Sequence, residues 1–177
     1  MASPEATVIT LKPLGKDERL RLAWDRGIAE SLASSDPAGQ TRSPWRGTEG
    51  IDWERAEALR LVSAVFEDGR ALAVAALRHR GSPGHDADSI AHHLVDAGEP
   101  LELTKVLLST EYDADGLPRR IGLELWLEGD APPLRVAADR KGEVEVTGDG
   151  VRRDTALMAF RLEGTVGAGL YEVLRPV

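Results

Sequence analysis

The sequence predicts a mainly β protein: a single antiparallel up-and-down β-barrel with one N-terminal α-helix. Three observations carry this. The stretch Leu101–Leu127 alternates in period two on both sides of Asp113-Ala114-Asp115-Gly116, with Ile121, Leu123, Leu125 and Leu127 on one face and Arg120, Gly122, Glu124 and Trp126 on the other. That is the pattern of a long half-buried hairpin. Further alternating runs follow one another across turns too short for parallel crossovers, which need a dozen residues or more. One segment, residues 16–33, has apolar residues every four positions instead: Leu20, Trp24, Ile28 and Leu32.

Taken in order, Thr7–Lys12 reads as a first strand ended by Pro13 and Gly15. Residues 16–33 read as an amphipathic helix of about four turns, stopped at Ser34-Ser35-Asp36-Pro37. Residues 36–58 are polar but carry Trp45 and Trp53, so this loop is expected to fold back onto the body of the protein. The meander of residues 59–175 begins with Leu59–Glu67, a turn at Asp68-Gly69 and Arg70–Arg80; an Asp-Gly pair between alternating runs is a strong hairpin signal. Gly81–Ser89 reads as a loop and Ile90–Val95 as a short strand before the central hairpin. Leu134–Ala138, Glu143–Thr147, Arg153–Leu162 and Gly169–Arg175 complete the set. Consecutive hairpins without a long return connection favour a barrel over a Greek-key sandwich.

The 177 residues suit one domain, spanning 1–177. A net charge of −8 argues against nucleic acid as a partner. With no cysteine, disulfides, thiol nucleophiles and thiolate metal sites are excluded. The N-terminus lacks a basic start followed by an apolar core, and no apolar run reaches the roughly 20 residues of a membrane span, so a soluble cytoplasmic protein is expected.

Two segments carry a resemblance. Gly39–Trp53, GQTRSPWRGTEGIDW, leads into the meander, and the chain finishes on Leu162–Glu172, LEGTVGAGLYE. With the central TEYDADGLPRRIGLEL, this arrangement resembles the lipocalin-like half-domain of the carotenoid hydratase (hydroxyneurosporene synthase) and AttH-like superfamily, over roughly Gly39–Pro176. The resemblance implies an apolar barrel that folds a hydrophobic polyene or polyketide-like substrate, using no metal and no organic cofactor. Two departures shape the expectation. Such proteins commonly carry two barrels, whereas this chain has room for one, which leaves a homodimer open. The acidic and histidine residues often found before the turn tryptophan are replaced by Arg42, Ser43 and Pro44. A shape-driven, pericyclase-like cyclase is therefore expected ahead of a hydratase, with a non-catalytic carrier as the alternative.

Several residues are candidates for the chemistry. Glu172 shares a face with Leu170 and Leu174. Burial there would raise its pKa and suit a general acid, while a structural tie to Arg161 or Arg175 is the other reading. Tyr171 and Tyr112 could each donate a hydrogen bond to a substrate carbonyl. Trp45, Trp53 and Trp126, with Glu124, are candidates for substrate contact, core packing being the alternative for the tryptophans. His85, Asp86, Asp88, His92 and His93 are the one cluster with metal-ligand chemistry. If extended, His92 and His93 point to opposite sides, so a solvated loop is the preferred reading and no metal is expected.

Overall fold

A computed structural model describes residues 6–12, 19–34, 42–84 and 88–177. The elements are β1 (Ala6–Leu11), β2 (Leu20–Asp25), α1 (Arg26–Ser34), β3 (Trp45–Arg46), a 3-10 turn (Thr48–Gly50), β4 (Ala56–Phe66), β5 (Ala71–His79), β6 (Ser89–Asp96), β7 (Glu99–Leu101), β8 (Leu103–Tyr112), β9 (Pro118–Leu127), β10 (Leu134–Arg140), β11 (Glu145–Thr147), β12 (Val151–Leu162) and β13 (Thr165–Pro176). The main sheet runs β7-β6-β5-β4-β13-β12-β10-β9-β8, with β11 attached to β12. Its pairings are all antiparallel, and the first long strand, β4, pairs with the last, β13. This is the expected meander rolled into a nearly closed barrel.

Turn chemistry sets the hairpins. In the β8–β9 turn Asp113 Oδ1 accepts from the amides of Asp115 and Leu117, both at 3.0 Å. These bonds, the Leu117 amide foremost, together with Arg140 at 2.9 Å, hold the Asp113 carboxyl below its usual range. The closing strand has a different device. A Cβ on Gly169 would lie 1.9 Å from the Ser63 carbonyl oxygen, so glycine there allows β4 and β13 to approach.

Alternation sorts the side chains into two cores. Val62, Val74, Leu108, Leu123, Met158, Phe160 and Tyr171 face the barrel interior, where Phe66 and Phe160 meet edge to face at 6.3 Å. Ala64, Ala76, Ala138 and Ala156 keep parts of that inner wall short. The opposite face of β4, β5 and β13 is covered by a second layer, in which Leu59, Leu61, Ala73, Ala75 and Leu174 pack against Leu11, Leu22, Trp24, Ala29 and Trp45. That layer consists of the small sheet β1-β2-β3 and α1, with α1 against β4 and β13 and β1 against β6.

The helix expected over 16–33 is corrected by this layer. Residues 16–18 lie outside the described residues, as do Pro13 and Gly15; Leu20–Asp25 is a strand and α1 covers only Arg26–Ser34. A spacing of four is even, so Leu20 and Trp24 satisfy a strand as well as a helix. Leu22, fully buried between them, settles the period as two. Asp25 then starts the helix, its carboxylate accepting from the Ile28 amide at 3.1 Å. Among the described residues no helix is long and apolar enough to cross a membrane.

Candidate functional site

The barrel interior is apolar at one end and polar at the other. At the polar end, where β4 begins and β13 finishes, Arg60 occupies an inward position between Ala76 and Val173 on the neighbouring strands. Its guanidinium donates to Asp88 Oδ2 at 2.6 Å, to the Leu108 carbonyl at 3.2 Å and to Thr110 Oγ1 at 3.3 Å. The Arg60 and Asp88 side chains are 4% and 0% exposed. Two such charges are tolerated away from water only because they neutralise each other. Arg60 Nε has no acceptor among the described residues.

Tyr171 joins this group. Its hydroxyl lies 2.6 Å from Thr110 Oγ1, and burial pushes the phenol above its usual range, so it stays a neutral donor. Beyond it, buried Asp154 is held by Arg175 at 2.6 Å and Arg152 at 2.7 Å. Arg175 also donates to the Gly116 carbonyl at 3.2 Å, pinning the β8–β9 turn across this end. His92 faces inward opposite Val74, and burial holds its imidazole neutral to lower pH. Chemically, the arrangement offers hydroxyl and guanidinium donors at one end of an apolar interior.

Glu172 faces the other way, into the seam between barrel wall and outer layer, and is 1% exposed. Ser43 donates to it at 2.9 Å and Arg153 at 2.8 Å, and Arg153 also reaches Thr48 at 3.0 Å. Burial nevertheless raises its pKa, outweighing Arg153 and Ser43. The arginine tie is thus present, but to Arg153 in place of Arg161 or Arg175. A cavity of about 330 Å³ lined by Thr48, Glu49, Trp53, Thr147 and Arg153 opens beside it.

The remaining sequence candidates are dispersed. Tyr112 lies at the rim of the polar end, 43% exposed, with the Arg175 guanidinium 5.9 Å from its ring centroid. Trp45 is buried in the outer layer and Trp53 packs against that layer's core. Glu124 and Trp126 point outward from β9, since Leu123 and Leu125 take the interior. Glu124 lines a groove of about 850 Å³ on the outer face with Leu107, Arg135 and Arg161. Trp24 is likewise in the outer layer, 6.0 Å from His93, so no tryptophan faces the barrel interior. His92 and His93 point to opposite sides as their spacing implies, Asp88 is ion-paired with Arg60, and His85 and Asp86 lie outside the described residues.

Arg60 is the residue that sequence reasoning passed over. The signal is visible in hindsight: it alternates with Val62, Ala64 and Phe66, a lone charge on an otherwise apolar face. No protein-family model matches the chain, and no curated protein matches its sequence.

Proposed function

We propose that this protein is a cofactor-independent, pericyclase-like cyclase of natural-product biosynthesis, an isomerase or lyase that folds a hydrophobic polyene or polyketide-like substrate inside its barrel. The carotenoid hydratase-like features of the sequence support the barrel's use as a substrate chamber. The observation that carries the reading is the convergence of Tyr171, Thr110 and Arg60 at one end of an apolar interior. A pure carrier needs few inward donors; a cyclase needs one or two, placed. A donor to a substrate carbonyl draws electron density from a conjugated alkene, and confinement brings the two reacting ends to within about 3–3.5 Å. In a cycloaddition two carbon–carbon σ bonds then form as two π bonds are lost, with no atom gained or released. A cytoplasmic setting and a homodimer belong to the same reading.

A carrier of a hydrophobic small molecule is the second reading. It is favoured by the engagement of the same donors with one another and with Asp88: Arg60 with Asp88, Thr110 with Tyr171. The two separate by experiment. Carbonyl-bearing linear polyenes are incubated with the protein and followed for an isomer of unchanged mass. Tyr171→Phe should slow its formation about tenfold to a thousandfold, the range for losing one oriented donor. Binding at about micromolar Kd with no product identifies a carrier. Because the tryptophans lie outside the interior, ligand fluorescence is the appropriate signal. If no hydrophobic probe binds, both readings fail.

A further inference from the structure

Each strand inside a closed barrel is bonded along both edges. Here the ladder ends at β8 on one side and at β7 on the other. The wall opposite is continuous: β12 and β13 pair from Val151↔Pro176 to Leu162↔Thr165. β6 and β8 lie beside each other, but among the described residues no backbone ladder joins them. Side chains make the closure. Arg60 reaches from β4 across the interior, taking Asp88 beside the start of β6 with one nitrogen and Leu108 and Thr110 of β8 with another. Tyr171 adds a second tie from β13 to Thr110.

We propose that the barrel opens sideways, along the line between β6 and β8, and that Arg60 is the positioning residue that holds this line shut. Two independent features point there. The line is where backbone bonding stops, and it is crossed by a buried ion pair whose arginine also takes up a β8 carbonyl. The polar end itself is crossed by the β8–β9 turn, pinned by Arg175 at Gly116 and by Arg140 at Asp113 and the Pro118 carbonyl. A hydrophobic molecule passing between β6 and β8 arrives with its acceptor end beside Arg60, Thr110 and Tyr171. Its use as a substrate mouth rests on the function proposed above; the opening itself does not.

The absence of cysteine makes the test direct. Leu108→Cys places a thiol on the inner face of β8, and Leu123→Cys places one directly opposite on β9, which is bonded on both edges. Both positions are buried. Each is introduced into the wild type, into Arg60→Met/Asp88→Asn, which removes both charges of the ion pair, and into the milder Thr110→Val. The reaction with a small thiol reagent is then timed. The expected result is at least tenfold faster labelling of Leu108→Cys in the double variant and a smaller acceleration with Thr110→Val, with Leu123→Cys unchanged. Equal acceleration at both positions, or none at Leu108→Cys, overturns the proposal. Association of parinaric acid, a fluorescent polyene, is measured in parallel and should quicken with the labelling rate. Binding at an unchanged rate while Leu108→Cys labels faster overturns the mouth. Failure of parinaric acid to bind any variant counts against the proposed function, and the cysteine pair still decides the opening.

Discussion

Tyr171 and Glu172 are neighbours in sequence and back to back in the wall, and their surroundings differ in one decisive respect. Tyr171 looks into the barrel, where its companions Arg60 and Asp88 are both sealed from water. Glu172 looks into the seam under β1-β2-β3 and α1, where its partner Arg153 keeps 23% of its side chain exposed. Of these two buried pairs, Arg60–Asp88 and Arg153–Glu172, only the second has a member that can turn to solvent. Breaking the inner pair therefore strands a charge away from water, whereas the outer pair, a bolt between two layers, can release its arginine to solvent.

The largest effect should come from breaking the sealed pair. Asp88→Ala leaves a buried guanidinium uncompensated and should destabilise the fold by about 3–5 kcal/mol. Glu172→Ala should cost less, about 1–3 kcal/mol, because Arg153 can rehydrate. Urea denaturation of the two variants measures the difference directly. Equal losses would mean that the two faces are not distinct in this way.

Next in size is the wall that both faces share. Gly169→Ala drives a Cβ into the Ser63 carbonyl and forces β4 and β13 apart. Overpacking of this kind costs about 1–3 kcal/mol. Since Tyr171 and Glu172 follow the displaced residue on the same strand and face opposite sides of the wall, hydrogen exchange should quicken on both the barrel and the outer-layer side. Loosening confined to one side would show that the wall does not couple them.

Tyr171→Phe sharpens the comparison on the inner face alone. It removes the bond to Thr110 and leaves the ring in place, so stability should fall by about 1 kcal/mol. Exchange in β1, β2 and α1 should stay as in the wild type.

How much of this was legible depended on the range of the signal. Hairpins were legible because their information is local: alternation plus an Asp-Gly or Asp113-type turn fixes both arms and their register. The outward aim of Trp126 and Glu124 was undecidable from β9 alone, because alternation gives two faces without saying which is inside. The choice is made by β8 and β10, whose Leu108 and Val136 share the interior with Leu123. Leu20 and Trp24 misled because four is a multiple of two. The partners of Glu172 were out of reach for a different reason: Ser43 is 129 positions away, and Arg153 is brought near by the β12–β13 register.

The smallest effect, and the one whose sign is most informative, belongs to Glu172→Gln. Burial raises the folded pKa of Glu172 above its usual 4.5. A carboxyl raised in this way contributes its full stability below the unfolded value and loses it as the pH climbs through the folded one. Glutamine, neutral throughout, resembles the protonated acid. The stability of the wild type relative to Glu172→Gln should therefore be greatest near pH 4 and decline towards neutrality, as the buried carboxylate becomes charged. Urea midpoints for both proteins, taken at intervals across that range, give the curve. A gap that widens with pH in favour of the wild type would show that Arg153 and Ser43 outweigh burial and hold a carboxylate. Glu172 would then be a permanently charged bolt, with no proton to give at neutral pH. Tyr171, on the opposite face, should leave the curve unchanged, so the same series in a Tyr171→Phe background checks that the two sides of the wall titrate independently.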